Sequence, residues 1–86
     1  MSSKRSRLEI YLDILQVIRK GVDKPTRIMY RTNLSWKPLM HALDTMIEQN
    51  LIESEEEDSH IFYKITEKGR NVLNYFNEVM QLIEIK

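Results

Sequence analysis

Lys24, Arg27, Arg31 and Lys37 lie within one stretch, KPTRIMYRTNLSWKPL, of an 86-residue chain. A lone exposed cation is ordinarily only solvated, but several on consecutive elements make a footprint that a row of phosphates can neutralise, releasing counterions as they bind. Arg27, Arg31 and Lys37 are the best candidates for that role. A second basic group, Lys4, Arg5 and Arg7, stands near the start of the chain. It reads either as a solvated tail or as an arm that follows phosphates or enters a groove.

Other reactive side chains are sparse. His41 and His60 are nineteen residues apart with no third ligand at metal spacing, so they read as surface residues. Glu53, Glu55, Glu56, Glu57 and Asp58 lack the glycine and the alternation of a calcium loop and read as a solvated turn. There is no nucleophile elbow, no glycine-rich phosphate loop and no carboxylate pair on a rigid apolar frame. The absence of cysteine excludes disulfides and thiolate metal sites. A protein without enzymatic activity, cofactor, metal or evident small-molecule ligand is expected.

Net charge is zero, yet the charges are segregated. Residues 1–40 carry nine Lys/Arg against three acids, residues 41–60 carry seven acids and no Lys/Arg, and the remainder is close to balanced. Such polarity points to a partner for one end of the molecule. No apolar run approaches the length of a membrane span, and the start, MSSKRSRLEIYLD, lacks the apolar core of a secretory signal. A cytoplasmic location is the corresponding expectation.

The elements that must position these residues follow from periodicity. Leu8, Tyr11, Leu12, Leu15 and Ile18 recur at helical spacing from Arg7 to Lys20, and Gly21 supplies the stop. Pro25 suits the first position of a second, two-turn helix with Ile28 and Met29 inward, ended by Asn33. Ser35 reads as the N-cap of a third helix, and a capped N-terminus also presents amides to a phosphate. Leu39, Ala42, Leu43, Met46 and Ile47 form its buried stripe up to about Gln49, leaving Lys37, Met40, His41, Asp44 and Glu48 outside. Trp36 precedes Leu39 and Leu43 by three and seven residues. That spacing predicts core packing, with stacking on a ligand as the other reading.

After Asn50, which suits a left-handed cap, Leu51-Ile52-Glu53 and Ile61 to Thr66 read as two strands joined by the turn SEEEDS. Thr66 then caps a last helix running to the C-terminus. The fold class is mainly α with a small β-hairpin, a winged helix-turn-helix with a long C-terminal helix. Its parts are a basic flexible arm at 1–6, the winged domain at 7–66 and the terminal helix at 67–86.

RLEIYLDILQVI, KPTRIMYRTNLSWKPL, the Leu51-Ile52 pair and YKITEKGRNVL together resemble the archaeal winged helix-turn-helix DNA-binding family. That family includes the small dimeric chromatin-associated proteins of the Sulfolobales and many archaeal transcription regulators. The resemblance covers Arg7 to about Leu73 and implies duplex DNA binding, with the third helix offered to the major groove and dimerisation through an antiparallel pairing of terminal helices. Charge, exposure and position on the helices mark Lys4, Arg5, Arg7, Arg27, Arg31, Ser35, Trp36, Lys37, Met40 and His41 as the residues expected at DNA. Asp44 would repel phosphate, and the wing ESEEEDS departs from the usual basic or mixed wing. The alternative is a protein-interaction module of the same fold that uses its acidic hairpin and binds no DNA.

In the last helix Val72, Leu73, Tyr75, Phe76, Val79, Met80, Leu82 and Ile83 fill about half of the circumference. One small domain cannot cover so wide a stripe. Leu73, Phe76, Val79, Met80 and Ile83 are accordingly expected at a two-fold homodimer interface.

Overall fold

The computed structural model describes residues 5–83. Its elements are α1 (Arg7–Arg19), α2 (Pro25–Thr32), α3 (Trp36–Glu48), β1 (Ile52–Glu57), β2 (His60–Ile65) and α4 (Glu67–Leu82). The chain is thus three helices, an antiparallel hairpin and a fourth helix.

Local sequence accounts for each start and stop. Ser6 opens α1 with a capping box: its hydroxyl accepts from the Glu9 amide at 3.1 Å, and its own amide donates to the Glu9 carboxylate at 2.8 Å. These bonds from the Ser6 backbone and hydroxyl hold the Glu9 carboxyl below its ordinary range, with help from the Arg5 charge. The first three helices end alike. Gly21, Asn33 and Asn50 take positive φ of 102°, 58° and 62°, and the next amides turn back onto the last carbonyls, as Val22 does to Val17 at 3.2 Å and Leu51 to Met46 at 2.9 Å.

The hairpin differs from the expected one. SEEEDS is not a six-residue turn; Ser54 to Glu57 continue β1, and the turn is Asp58-Ser59 alone, with φ of 52° and 67°. Two consecutive left-handed residues match the twist of a tight two-residue hairpin. The register pairs Glu53 with Lys64, Glu55 with Phe62 and Glu57 with His60, so the acids satisfy backbone bonds while their side chains stay in water. The strand was hidden because the outer hairpin projects beyond the core, and both its faces are wet.

The core lies between α1, α3 and the hairpin base, with Ile14, Leu15, Ile28, Leu39, Leu43, Met46, Ile52 and Leu73 fully buried. Tyr63 is buried as well, and its amide donates to the Asp23 carbonyl at 3.0 Å, tying β2 to the α1–α2 loop. Thr66 caps α4, its hydroxyl accepting from the Gly69 amide at 3.0 Å and donating to the Asn50 carbonyl at 2.6 Å. Gly69 passes so close to the chain at Leu51 that a side chain there would overlap the Leu51 carbonyl oxygen. The described part of α4 ends at Leu82, with Ile83 in extended backbone. Among the described residues, no helix is long and apolar enough to cross a membrane.

Candidate nucleic-acid interface

Helix α2 buries Ile28 and Thr32, one turn apart, and the Thr32 hydroxyl donates to the Ile28 carbonyl at 2.7 Å. That choice of inner face sends Arg27 and Arg31 to the surface, again one turn apart. Asn33, Leu34 and Ser35 then bend the chain into α3. Ser35 holds the N-cap position in extended backbone, but its hydroxyl makes no bond to the first-turn amides. Pro38 has no amide to satisfy there, and the amides of Trp36 and Lys37 point out of the helix end.

The outer stripe of α3 is Lys37, His41, Asp44 and Glu48, all four exposed and on the side of the helix opposite Leu39, Ala42, Leu43 and Met46. Its N-terminal half is cationic or neutral and its C-terminal half acidic, so only the first half suits a phosphate-lined groove. Asp44 also faces β2: burial pushes the Tyr63 phenol above its ordinary range, and the Asp44 carboxylate adds to that shift.

Trp36 is not in the core. It is 46% exposed and, with Met40, borders an open groove of about 500 Å³ closed on its other sides by Lys24, Pro25 and strand β2. Its angle on α3 does align with Leu43. As the first helical residue, however, its side chain leans toward the helix N-terminus and passes the edge of the core.

Of the basic arm, Lys4 lies outside the described residues. The Arg5 guanidinium pairs with Asp13 at 2.9 Å and reaches the Asn33 carbonyl at 3.5 Å, which fastens it to α1 and to the α2–α3 bend. Arg7 is exposed. The structure therefore groups Arg27, Arg31, Ser35, Trp36, Lys37, Met40 and His41 on the α2–α3 surface and draws Arg5 into an internal ion pair.

Tyr30 is also exposed on α2, although nothing in its spacing marks it as a contact, and Lys24 lines the groove beside Trp36 and Met40. Tyr30 is 81% exposed, about 60° around the helix from Arg27 on the side away from Arg31, and its hydroxyl can donate to a phosphate. The available signal was its position away from Ile28 on a two-turn helix.

The hairpin is the other charged surface. Glu53, Glu55, Glu56, Glu57 and Asp58 are exposed, and only Glu55 is paired among the described residues, with Lys64 at 3.1 Å.

On α4, Leu73 is fully buried within its own chain, so it is unavailable to a second copy. Phe76 is half-buried, whereas Tyr75, Val79, Met80, Leu82 and Ile83 are exposed, Leu82 by 85%. The free apolar ridge begins after Leu73.

A short helix bent tightly into a second one, with a hairpin beside it, defines a winged helix-turn-helix protein. The sequence says the same over nearly its whole length: the family model for winged helix-turn-helix proteins matches residues 4–84, and the chain belongs to that family. The uncharacterized protein MJ0287 of Methanocaldococcus jannaschii is 30% identical over 83 residues, spanning 96% of this chain and 81% of its own length. Among solved structures, Sso10a-2, a DNA-binding protein from Sulfolobus solfataricus, superposes with a TM-score of 0.76 at 25% identity, over 91% of this chain and 81% of that one. The transcriptional regulator BldR, also from Sulfolobus solfataricus, shares the fold with a TM-score of 0.73 at 21% identity. The match covers 84% of this chain and 54% of the longer regulator.

Proposed function

We propose that this protein is a homodimeric double-stranded-DNA-binding protein, acting as a transcription regulator or an architectural protein of the nucleoid. The observation that carries the reading is the exposure of Arg27, Arg31 and Lys37 on α2 and the first turn of α3, with none of them in an ion pair among the described residues. In a winged helix-turn-helix these are the elements that meet the backbone and the major groove. The likeness to Sso10a-2 and BldR supports the same role. The acidic hairpin repels phosphate and stays off the duplex in this arrangement.

The ridge from Tyr75 to Ile83 supports the dimer. An exposed apolar face of that length is covered when two copies of α4 pair. Pairing sets two α3 helices at a fixed separation, as a palindromic or two-site target requires.

A gel-shift titration at two salt concentrations tests the reading. Binding through several phosphates weakens steeply as salt rises, with a logarithmic slope of about 0.9 per phosphate neutralised. Absence of duplex binding at low salt refutes it. The acidic face of β1 would then favour the protein-interaction reading, in which that hairpin docks on a basic partner.

A further inference from the structure

Phosphate contacts position a protein on DNA but do not read sequence. Bases are told apart mainly by arginine or lysine bidentate to guanine and by asparagine or glutamine bidentate to adenine. Helix α3, WKPLMHALDTMIE, contains no arginine, asparagine or glutamine, and its one lysine, Lys37, stands in the first turn. Of its outer stripe, Asp44 and Glu48 repel phosphate, leaving Lys37 and His41 as the polar groups of the usable end.

Beside that end lies an apolar patch. Trp36 and Met40 stand one turn apart and face the groove toward Ile61 and Phe62 of β2. At about 100° per residue, Met40 is only about 60° around the helix from Lys37. The patch therefore adjoins the outer stripe, with Lys24 lining the groove and Lys37 next to Trp36 in the first turn of α3, while Asp44 stands one turn beyond Met40. The two cations draw phosphates to the N-terminal end of α3 and bring the apolar surface beside them toward the bases. On the major-groove edge of the bases the C5 methyl of thymine is the apolar group, and apolar side chains contact it.

We propose that Trp36 and Met40 read thymine methyl groups, so that α3 prefers A·T-rich duplex DNA by apolar contact. The proposal rests on the duplex binding inferred above and names what that surface discriminates. It makes Trp36 and Met40 the residues that recognise thymine, and Lys37 a contributor to affinity on a duplex of A·T pairs.

The test compares the intact chain on two labelled duplexes: one of alternating A·T pairs, and the same duplex with every thymine replaced by deoxyuridine. The two have the same charge and hydrogen-bonding groups and differ only in the methyls. Anisotropy titrations at two salt concentrations are expected to show weaker binding to the uracil duplex, by about fourfold per contacted methyl, with an unchanged salt slope. Trp36→Ala and Met40→Ala should each bring the thymine-to-uracil ratio toward one and keep the slope. Lys37→Ala should weaken both duplexes alike. Trp36 is the chain's one tryptophan, so its fluorescence should change more with the thymine duplex. Equal affinity of the unaltered protein for the two duplexes overturns the proposal, whatever becomes of the variants. A ratio that survives both alanine substitutions also overturns it, since the methyl then acts through duplex shape. If neither duplex binds in a salt-dependent way, the DNA-binding reading itself fails, and this inference with it.

Discussion

Replacing Gly69 with alanine sets two opposed effects against each other at the joint between the hairpin and α4. Alanine favours a helix over glycine by about 1 kcal/mol, so on propensity alone the variant gains stability. The added methyl, however, overlaps the Leu51 carbonyl oxygen and comes within 2.8 Å of the Ile65 side chain and 3.2 Å of Leu15. Ile65 and Leu15 can shift a little. The carbonyl cannot move freely, because it accepts the Thr66 amide at 3.1 Å, and Thr66 in turn caps α4 through the Gly69 amide. Overpacking of this kind costs about 1–3 kcal/mol, and each weakened hydrogen bond adds about 1 kcal/mol. The steric side wins, with a net destabilisation of about 2–3 kcal/mol. In a chain of this length that lowers the melting temperature by roughly 10–20 °C. Urea denaturation followed by far-UV circular dichroism, at one protein concentration, reads the loss directly. Asn71→Ala, an exposed change on the same helix, serves as the control and should stay within about 0.5 kcal/mol of the parent. A Gly69→Ala variant as stable as the parent would show that the joint relaxes freely, and the account of how α4 is held would be wrong.

Replacing Arg27, Arg31 and Lys37 together with alanine should reduce the salt slope of duplex binding by roughly 0.9 for each phosphate no longer neutralised. Glu55→Gln, Glu56→Gln and Glu57→Gln together should leave binding intact or strengthen it; the reverse pattern in gel shifts would move the interface to the wing. Sedimentation equilibrium should find the intact chain dimeric and the Met80→Glu, Ile83→Glu variant monomeric, and a dimeric variant would remove α4 from the interface. The raised Tyr63 phenol gives a pH dependence of defined sign. Its neutral form contributes stability that is fully present below the ordinary value of 10.0 and is lost as pH rises through the higher folded value. The urea midpoint should therefore fall more steeply above about pH 10 in the parent than in Tyr63→Phe, and parallel curves would count against the assigned burial.

The helices and their ends were legible in the residues alone. Gly21, Asn33 and Asn50 sit where the chain must turn left-handed, Pro25 and Thr66 mark two starts, and the Leu39-Ala42-Leu43-Met46 stripe faces inward as its spacing requires. Each of these depends on neighbours within a turn or two, so local chemistry suffices. The concentration of cations before residue 40 and acids after it was equally plain, and with it the surface most suited to phosphate. Tertiary packing decided the rest. Trp36 and Leu43 share a helix face, yet only Leu43 is buried, because the core ends before α3 does. Leu73 and Met80 lie on one apolar stripe, but the core of the domain covers the first and leaves the second bare. The acids of β1 form a strand because β2 pairs with their backbone, a partner that no alternation within SEEEDS could reveal. Periodicity states which way a side chain points, whereas burial also requires that another element reach it, and that distance is set by long-range packing.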